Sequence, residues 1–152
     1  MIRKATFSDI PGILSLIQPF VEQDIILGKT REDIVERIRD YFVYEEEGRI
    51  MGCCALYPGW DSLGEIRTTV VSPDRKGRGI GRKLVEACIK DARELGIPKL
   101  FVLTYEVEFF RKMGFEVVDM HSLPQKIFRD CIMCKHFPDC DETAMVMELE
   151  QA

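Results

Sequence analysis

The chain has 152 residues, of which 46% are hydrophobic and 31% charged, with 11 glycines and 7 prolines. This length and composition are typical of one globular domain, so we expect a single domain over residues 1–152 and exclude collagen-like and disordered chains. The formal net charge is −5, which argues against a nucleic-acid-binding protein with a basic face.

The sequence also argues against export and membrane insertion. It contains no run of about 18 apolar residues, the length that a membrane-spanning helix needs, and residues 1–9 carry charges where a signal peptide is apolar. We therefore expect a cytoplasmic protein with no membrane partner. In that compartment its six cysteines are expected to be reduced.

The first part of the chain predicts a strand and two helices. Residues 3–6 alternate as a short strand does, and Ser8-Asp9 caps a helix that Pro19 ends or kinks. A second helix is predicted to begin at Thr30, with a loose capping box. The apolar residues that this second helix is expected to bury are Ile34, Ile38 and Tyr41.

The rest of the chain alternates strands with helices. Helices are predicted at 82–95 and 108–113. The predicted strands are 42–44 and 50–56, which form a hairpin, then 64–71, 100–103, 115–118 and 144–149. The expected fold class is α/β (α+β), with one central sheet.

The most informative stretch is a glycine-rich turn between a predicted strand and a helix. Its three glycines, Gly77, Gly79 and Gly81, let the main chain approach an anion, and the helix start presents N–H groups there. The basic residues around it are Arg75, Lys76, Arg78, Arg82 and Lys83. This pattern favours pyrophosphate binding, although a glycine-containing turn with a solvated basic face fits the same residues. It is neither a P-loop nor a dinucleotide-binding motif, because no Ser or Thr follows Lys83 and the third glycine comes one residue early.

This turn, Lys76-Gly77-Arg78-Gly79-Ile80-Gly81, resembles the acyl-CoA pyrophosphate loop of the GNAT superfamily of N-acetyltransferases, with Lys76 in place of Arg or Gln. The opening residues 2–6 and the segment 109–115 fit the same family. The resemblance implies acetyl-CoA as cosubstrate and a mixed, mostly antiparallel sheet flanked by helices. The CoA-binding residues that it implies are the main chain of Val70 and Val71 for the pantetheine arm, and Lys76, Gly77, Arg78, Gly79, Ile80, Gly81 and Arg82 for the pyrophosphate.

Two further segments, 26–32 and 52–58, resemble the acetyltransferase domain of N-acetylglutamate synthases. This resemblance implies transfer of acetyl to the α-amine of L-glutamate, at the entry to arginine biosynthesis, by a short stand-alone form. It also implies that Lys29, Arg31 and Lys135 bind the substrate, although each alone fits a surface charge equally well. Arg67 is a further candidate for substrate binding, because it shares a strand face with Glu65 and because guanidinium groups bind carboxylates well.

Acetyl transfer to an amine needs a base for the ammonium proton and, where the thiolate is protonated, an acid. Glu65 stands where many family members carry the base, although an exposed strand carboxylate is the competing interpretation. The family's usual acid, a tyrosine, is replaced here by Phe110. Tyr105 is the remaining candidate acid, against a packing role, or the thiolate leaves unprotonated because its pKa is low.

Three cysteines, Cys131, Cys134 and Cys140, lie within ten residues of one another. With His136 or His121 they fit a zinc site, and the alternatives are a redox pair or reduced structural thiols. The remaining cysteines are expected to lie in the core: Cys53, Cys54 and Cys88.

Other functions stay open at this point. Within the enzyme class, the acceptor could be glutamine, another amino acid, a polyamine or a protein N-terminus. Outside it, the chain could be a non-catalytic regulatory module that binds acyl-CoA or metal. We expect a small-molecule partner, no nucleic acid and, by family analogy, a possible homodimer formed through the C-terminal strands.

Overall fold

The structure, a computed structural model, describes residues 1–60, 62–123 and 142–149. Within these residues seven strands form one sheet: β1 (Ile2–Lys4), β2 (Tyr41–Glu46), β3 (Arg49–Trp60), β4 (Leu63–Val71), β5 (Lys99–Thr104), β6 (Glu116–Val118) and β7 (Thr143–Glu148). The helices are α1 (Ile10–Glu22), α2 (Arg31–Glu36), α3 (Ile80–Leu95) and α4 (Val107–Met113). No helix of this described part is long and apolar enough to cross a lipid bilayer.

The strands are ordered β1-β2-β3-β4-β5-β7-β6. The β4–β5 pair is parallel, and the other neighbouring pairs are antiparallel. This confirms the prediction of a mixed, mostly antiparallel sheet with helices against it. The predicted hairpin, the strand at 64–71 and the helix at 82–95 are also confirmed, with bounds extended by a few residues.

Helices cover both faces of the sheet because β3 buries alternate side chains on opposite sides. Cys53 and Ala55 pack in the cluster that contains the α1 residues Ile10 and Ile13. Cys54 and its neighbours on the other face pack with α3, whose apolar stripe includes Leu84, Val85 and Cys88. Each large apolar side chain buried in this way contributes roughly 2 kcal/mol of transfer free energy.

One prediction in the helical segment is wrong, and of the two effects predicted for Pro19 the end of the helix is not found. Pro19 does not end α1, which runs on to Glu22; Pro19 lies on the exposed face, where solvent can satisfy the carbonyl that the missing N–H leaves unbonded. Tyr41 is buried, but on β2 rather than in the second helix, because it is paired with Ala55 in the β2–β3 ladder. Thr30 caps α2 as predicted, whereas Ile38 lies in a 3₁₀ turn beyond the helix and is only partly buried.

The middle of β4 is irregular. Thr68 has a φ of 51°, a left-handed conformation that β-branched residues rarely adopt, and its carbonyl accepts a hydrogen bond from Cys53 Sγ at 3.4 Å. On the other edge of β4, the parallel ladder to β5 is registered at Gly64↔Leu100 and Glu65↔Phe101 among the described residues. The later half of β4, up to Val71, therefore extends beyond its ladder with β5.

Candidate functional site

The predicted pyrophosphate loop joins β4 to α3. Gly77 and Gly79 have φ angles of +79° and +77°, which glycine adopts without steric cost. Gly79 is the N-cap of α3, and its carbonyl accepts from the Lys83 N–H at 3.1 Å. The N–H groups of the first helical turn before Lys83 have no partner within the helix. They therefore point out of its positive end, where an anion is stabilised.

The cations around the loop divide into two groups. Arg75 is ion-paired with Glu46 of β2, so its guanidinium is directed to the hairpin and not to the loop. Lys76, Arg78 and Arg82 are exposed, and Arg82 makes an ion pair of 3.5 Å with Glu86. The loop can thus offer several cations together with main-chain donors.

A separate cleft, of about 220 Å³, lies between the α1–α2 region and strands β2 to β4. Its lining residues are Leu27, Gly28, Lys29, Asp33, Glu36, Arg37, Asp40, Tyr41, Ala55 and Arg67. Of the predicted substrate residues, the structure brings Lys29 and Arg67 together here. Arg31, at the start of α2, is exposed and is not among the lining residues. Lys135 lies outside the described residues.

Beside this cleft, Arg67 and Glu65 form an ion pair. Arg67 Nε donates to Glu65 Oε1 at 2.6 Å, and the two side chains are 23% and 11% exposed. The period-two spacing on β4 predicts this shared face, and the structure confirms it. The arrangement puts a nearly buried carboxylate beside a cleft whose wall, in the described part of the chain, holds three basic and three acidic side chains. A carboxylate in this position can take a proton from a group bound in the cleft.

Arg37 is a cleft residue that the sequence analysis missed. Its Nε donates to Asp40 Oδ2 at 2.9 Å. Burial raises the pKa of the Asp40 carboxyl, and the hydrogen bond from Arg37 partly opposes this effect. The available signal was the Arg-x-x-Asp spacing, which brings a cation and a carboxylate onto one side of a helical turn.

Tyr105, the candidate acid, follows β5 directly and is 40% exposed. It is four residues beyond Phe101, which is registered with Glu65, so its Cα lies about 13 Å beyond that of Phe101 along the strand direction. Phe110 lies in the core, with its ring centroid 5.3 Å from that of Phe115. The described residues therefore leave the acid unassigned.

The core cysteines behave as predicted, since Cys53, Cys54 and Cys88 are buried. Burial raises the pKa of the Cys53 thiol. Cys131, Cys134 and Cys140, the candidate zinc ligands, lie outside the described residues together with His136. Within residues 1–60, 62–123 and 142–149, no group of three or more His, Cys, Asp or Glu side chains is placed to hold a metal ion.

Comparisons with known proteins identify the family. A model described as the acetyltransferase (GNAT) family matches residues 12–115. An uncharacterized N-acetyltransferase of Chlorobaculum tepidum is 38% identical over 97% of this chain and 96% of its own length. An amino-acid acetyltransferase of Mycobacterium tuberculosis is 34% identical over 90% of this chain and 79% of its own.

A solved structure is similar over nearly the whole chain. It is the N-acetylglutamate synthase of Neisseria gonorrhoeae complexed with coenzyme A and N-acetyl-glutamate, with a TM-score of 0.89 and 32% identity. The match covers 99% of this chain and 35% of that protein, so the similarity concerns about a third of the synthase.

Proposed function

The chain belongs to the acetyltransferase (GNAT) family, and we propose that it transfers the acetyl group of acetyl-CoA to the α-amine of L-glutamate, the first step of arginine biosynthesis. The observation that carries this proposal is the cleft that gathers Lys29, Arg37 and Arg67 beside Glu65. A dicarboxylic amino acid presents two carboxylates to such cations.

The cleft also contains carboxylates, but two of them serve local structure. Asp33 accepts from the Thr30 N–H at 2.8 Å, and this bond lowers the pKa of its carboxyl. Asp40 accepts from Arg37. With Asp33 and Asp40 engaged in these local contacts, the three basic side chains of the cleft face Glu36 as the remaining carboxylate among the described lining residues, a balance that favours an amino dicarboxylate over a cationic acceptor such as a polyamine.

Two relatives support the choice of acceptor by their names. One is an amino-acid acetyltransferase, and the other is a synthase complexed with coenzyme A and N-acetyl-glutamate. By the same similarity, acetyl-CoA would place its pyrophosphate on residues 76–82. Its pantetheine arm would run along the main chain of Val70 and Val71, where β4 extends beyond its ladder with β5.

The chemistry proposed for this site is direct attack. Glu65 takes a proton from the substrate ammonium, directly or through water, and the free amine attacks the thioester carbonyl. The N–H of Val71 stabilises the oxyanion. The attacking nitrogen loses its second proton to water, and collapse breaks the C–S bond and releases CoA as the thiolate. Since Arg67 binds Oε1 and a carboxylate can accept at both oxygens, the ion pair is compatible with this role. Positioning the two substrates supplies several kcal/mol, by order of magnitude.

A thiol-release assay tests this function with acetyl-CoA and glutamate, glutamine, aspartate, lysine or spermidine, and mass spectrometry identifies the product. We expect N-acetylglutamate to form preferentially. Preference for lysine or spermidine would overturn the acceptor assignment. Tight CoA binding without turnover of any amine would favour the non-catalytic module.

The variant Arg37→Gln tests whether the cleft binds the acceptor, and Arg39→Gln is the matched control. Arg39 is exposed, lies two residues away and is not among the lining residues of the cleft. We expect Arg37→Gln to raise the KM for glutamate roughly tenfold or more, since it removes a charged partner of a carboxylate. The control should leave this KM unchanged.

A further inference from the structure

Tyr57 lies behind the two arginines of the cleft. It is near the end of β3, registered with Glu65 on β4, and it is not among the residues that line the cleft. The Cζ atom of Arg67 is 4.0 Å from the centroid of the Tyr57 ring, and that of Arg37 is 4.6 Å away. One aromatic ring thus contacts both guanidinium groups, an arrangement that the ring's negative face favours.

The ring itself is held by its neighbours on β3. A Cβ atom at Gly59 would lie 2.2 Å from Cε2 of Tyr57, so the ring rests directly against the Gly59 main chain. The Trp60 ring meets it edge to face, with centroids 5.2 Å apart and planes at 87°. The ring position is therefore fixed independently of the arginines.

Two cations against one ring would repel each other unless each had an anion nearby. Here each guanidinium has one: Arg67 is paired with Glu65 and Arg37 with Asp40. The Tyr57 ring therefore lies between two ion pairs. One contains the proposed base, and the other contains the cleft residue Arg37.

We propose that Tyr57 is a positioning residue for the acceptor: its ring aims Arg67 and Arg37 at the substrate carboxylates and keeps Arg67 on Glu65. This rests on the proposed function, since it takes the acceptor to be a carboxylate. Tyr57 acts through the arginines and does not itself touch the substrate. Preorganised guanidinium groups bind a carboxylate more tightly because fewer rotamers are lost on binding.

Three variants test separately the contributions of the Tyr57 ring, its hydroxyl group and its position. Tyr57→Phe keeps the ring, Tyr57→Leu removes it, and Gly59→Ala displaces it while leaving the tyrosine in place. We expect Tyr57→Phe to keep the KM for glutamate within about twofold. We expect Tyr57→Leu and Gly59→Ala to raise it by about tenfold, with the KM for acetyl-CoA unchanged.

The outcomes decide the role directly. An unchanged KM for glutamate in Tyr57→Leu would overturn the proposal, and so would an equal rise in the KM for acetyl-CoA, which indicates a general loss of structure. A Tyr57→Phe variant as impaired as Tyr57→Leu would assign the effect to the hydroxyl and overturn the role of the ring.

A second readout needs no acceptor. In ¹⁵N-resolved NMR spectra, the Nε–H protons of Arg67 and Arg37 should be shifted by the ring current in the wild type and in Tyr57→Phe, and should lose this shift in Tyr57→Leu. Identical resonances in all three proteins would overturn the proposal. If the wild type acetylates no carboxylate-bearing amine, the proposed function fails, while the NMR comparison still decides whether the ring holds the arginines.

Discussion

Arg67 and Glu65 bind each other across one residue of β4, with 2.6 Å between Nε and Oε1. Arg67, the proposed substrate-binding cation, and Glu65, the proposed base, are thus joined before any substrate is present. A guanidinium has five N–H donors, so Arg67 can hold a substrate carboxylate and Glu65 together. The two residues should therefore act as a unit in binding and proton transfer.

Glu65→Gln tests the base. The amide cannot take the ammonium proton, so kcat at neutral pH should fall by about 10²–10⁴-fold, whereas the Kd for CoA should stay the same. The measurement is the pH dependence of kcat/KM for glutamate in both proteins. A profile of unchanged shape in the variant would remove Glu65 from this role.

The same pair predicts non-additive effects. Once Glu65 is replaced by Gln, Arg67→Gln should cost less in kcat/KM than it costs in the wild type, because the two residues share one interaction. A double-mutant cycle measures this coupling. If the loss of kcat/KM in the double variant equals the product of the losses in the two single variants, the residues act independently.

The loop conformation gives a prediction for CoA. Gly79→Ala forces a Cβ into a left-handed conformation with a φ of +77°, which costs about 1–2 kcal/mol, and relaxation of the loop would move the N–H groups of α3. We expect the Kd for CoA to rise about fivefold or more. Isothermal titration calorimetry measures this Kd in the variant and in the wild type.

Gly96→Ala is the matched control, since Gly96 caps the other end of α3 with a φ of +82° and, like Gly79, has open space around a Cβ. It should lower the free energy of unfolding by a similar amount without changing the Kd for CoA. Equal losses of CoA affinity in both variants would show that the effect is not local to the loop.

Arg3 and Asp9 predict how stability depends on pH. Arg3 donates to both Asp9 oxygens, at 2.7 and 2.9 Å, and this lowers the pKa of the Asp9 carboxyl from its ordinary value of 3.8. The stabilisation is therefore complete above about pH 4 and is lost as the pH falls below that value.

Asp9→Asn should lower the free energy of unfolding by about 2 kcal/mol at pH 7, and the difference from the wild type should shrink below about pH 4. Urea unfolding at a series of pH values measures this. Glu94→Gln, an exposed change on α3, serves as the control. A difference that stays constant down to pH 2 would contradict the role of the ion pair.

The core thiols should be protected in the native protein. Cys88 Sγ lies 3.5 Å from Cys54 Sγ in the core, and the hydrogen bond between them, together with burial, raises the pKa of the Cys88 thiol. Because the thiolate is the reactive form, iodoacetamide should label Cys53, Cys54 and Cys88 only after unfolding. Peptide mass spectrometry after a timed native pulse checks this, and labelling as fast as in the denatured protein would contradict it.

Much of the fold follows from local patterns. Thr30 and Asp33 form their capping box within four residues, and the apolar stripe of α3 with Gly96 defines that helix almost alone. The wrong placement of Tyr41 arose because its neighbours continue a helical spacing, whereas pairing with Ala55 on β3 decides its structure.

The candidate site was less predictable, because it depends on side chains from separate elements. Lys29 and Arg67 come from distant parts of the chain and line one cleft, and Arg37 reaches this cleft from a turn beyond α2. The place of Tyr57 depends on the absence of a side chain at Gly59. Apart from the Arg37-x-x-Asp40 spacing, these contacts have no sequence motif.

The short parallel ladder between β4 and β5 has a thermodynamic consequence. Within the described residues it has two registered pairs, against six between β5 and β7, so we expect the sheet to open locally at a lower free-energy cost between β4 and β5 than between β5 and β7. A pantetheine arm bound along Val70 and Val71, as proposed, would stabilise the closed form by mass action. Bound acetyl-CoA should then slow proteolytic cleavage that depends on this local opening.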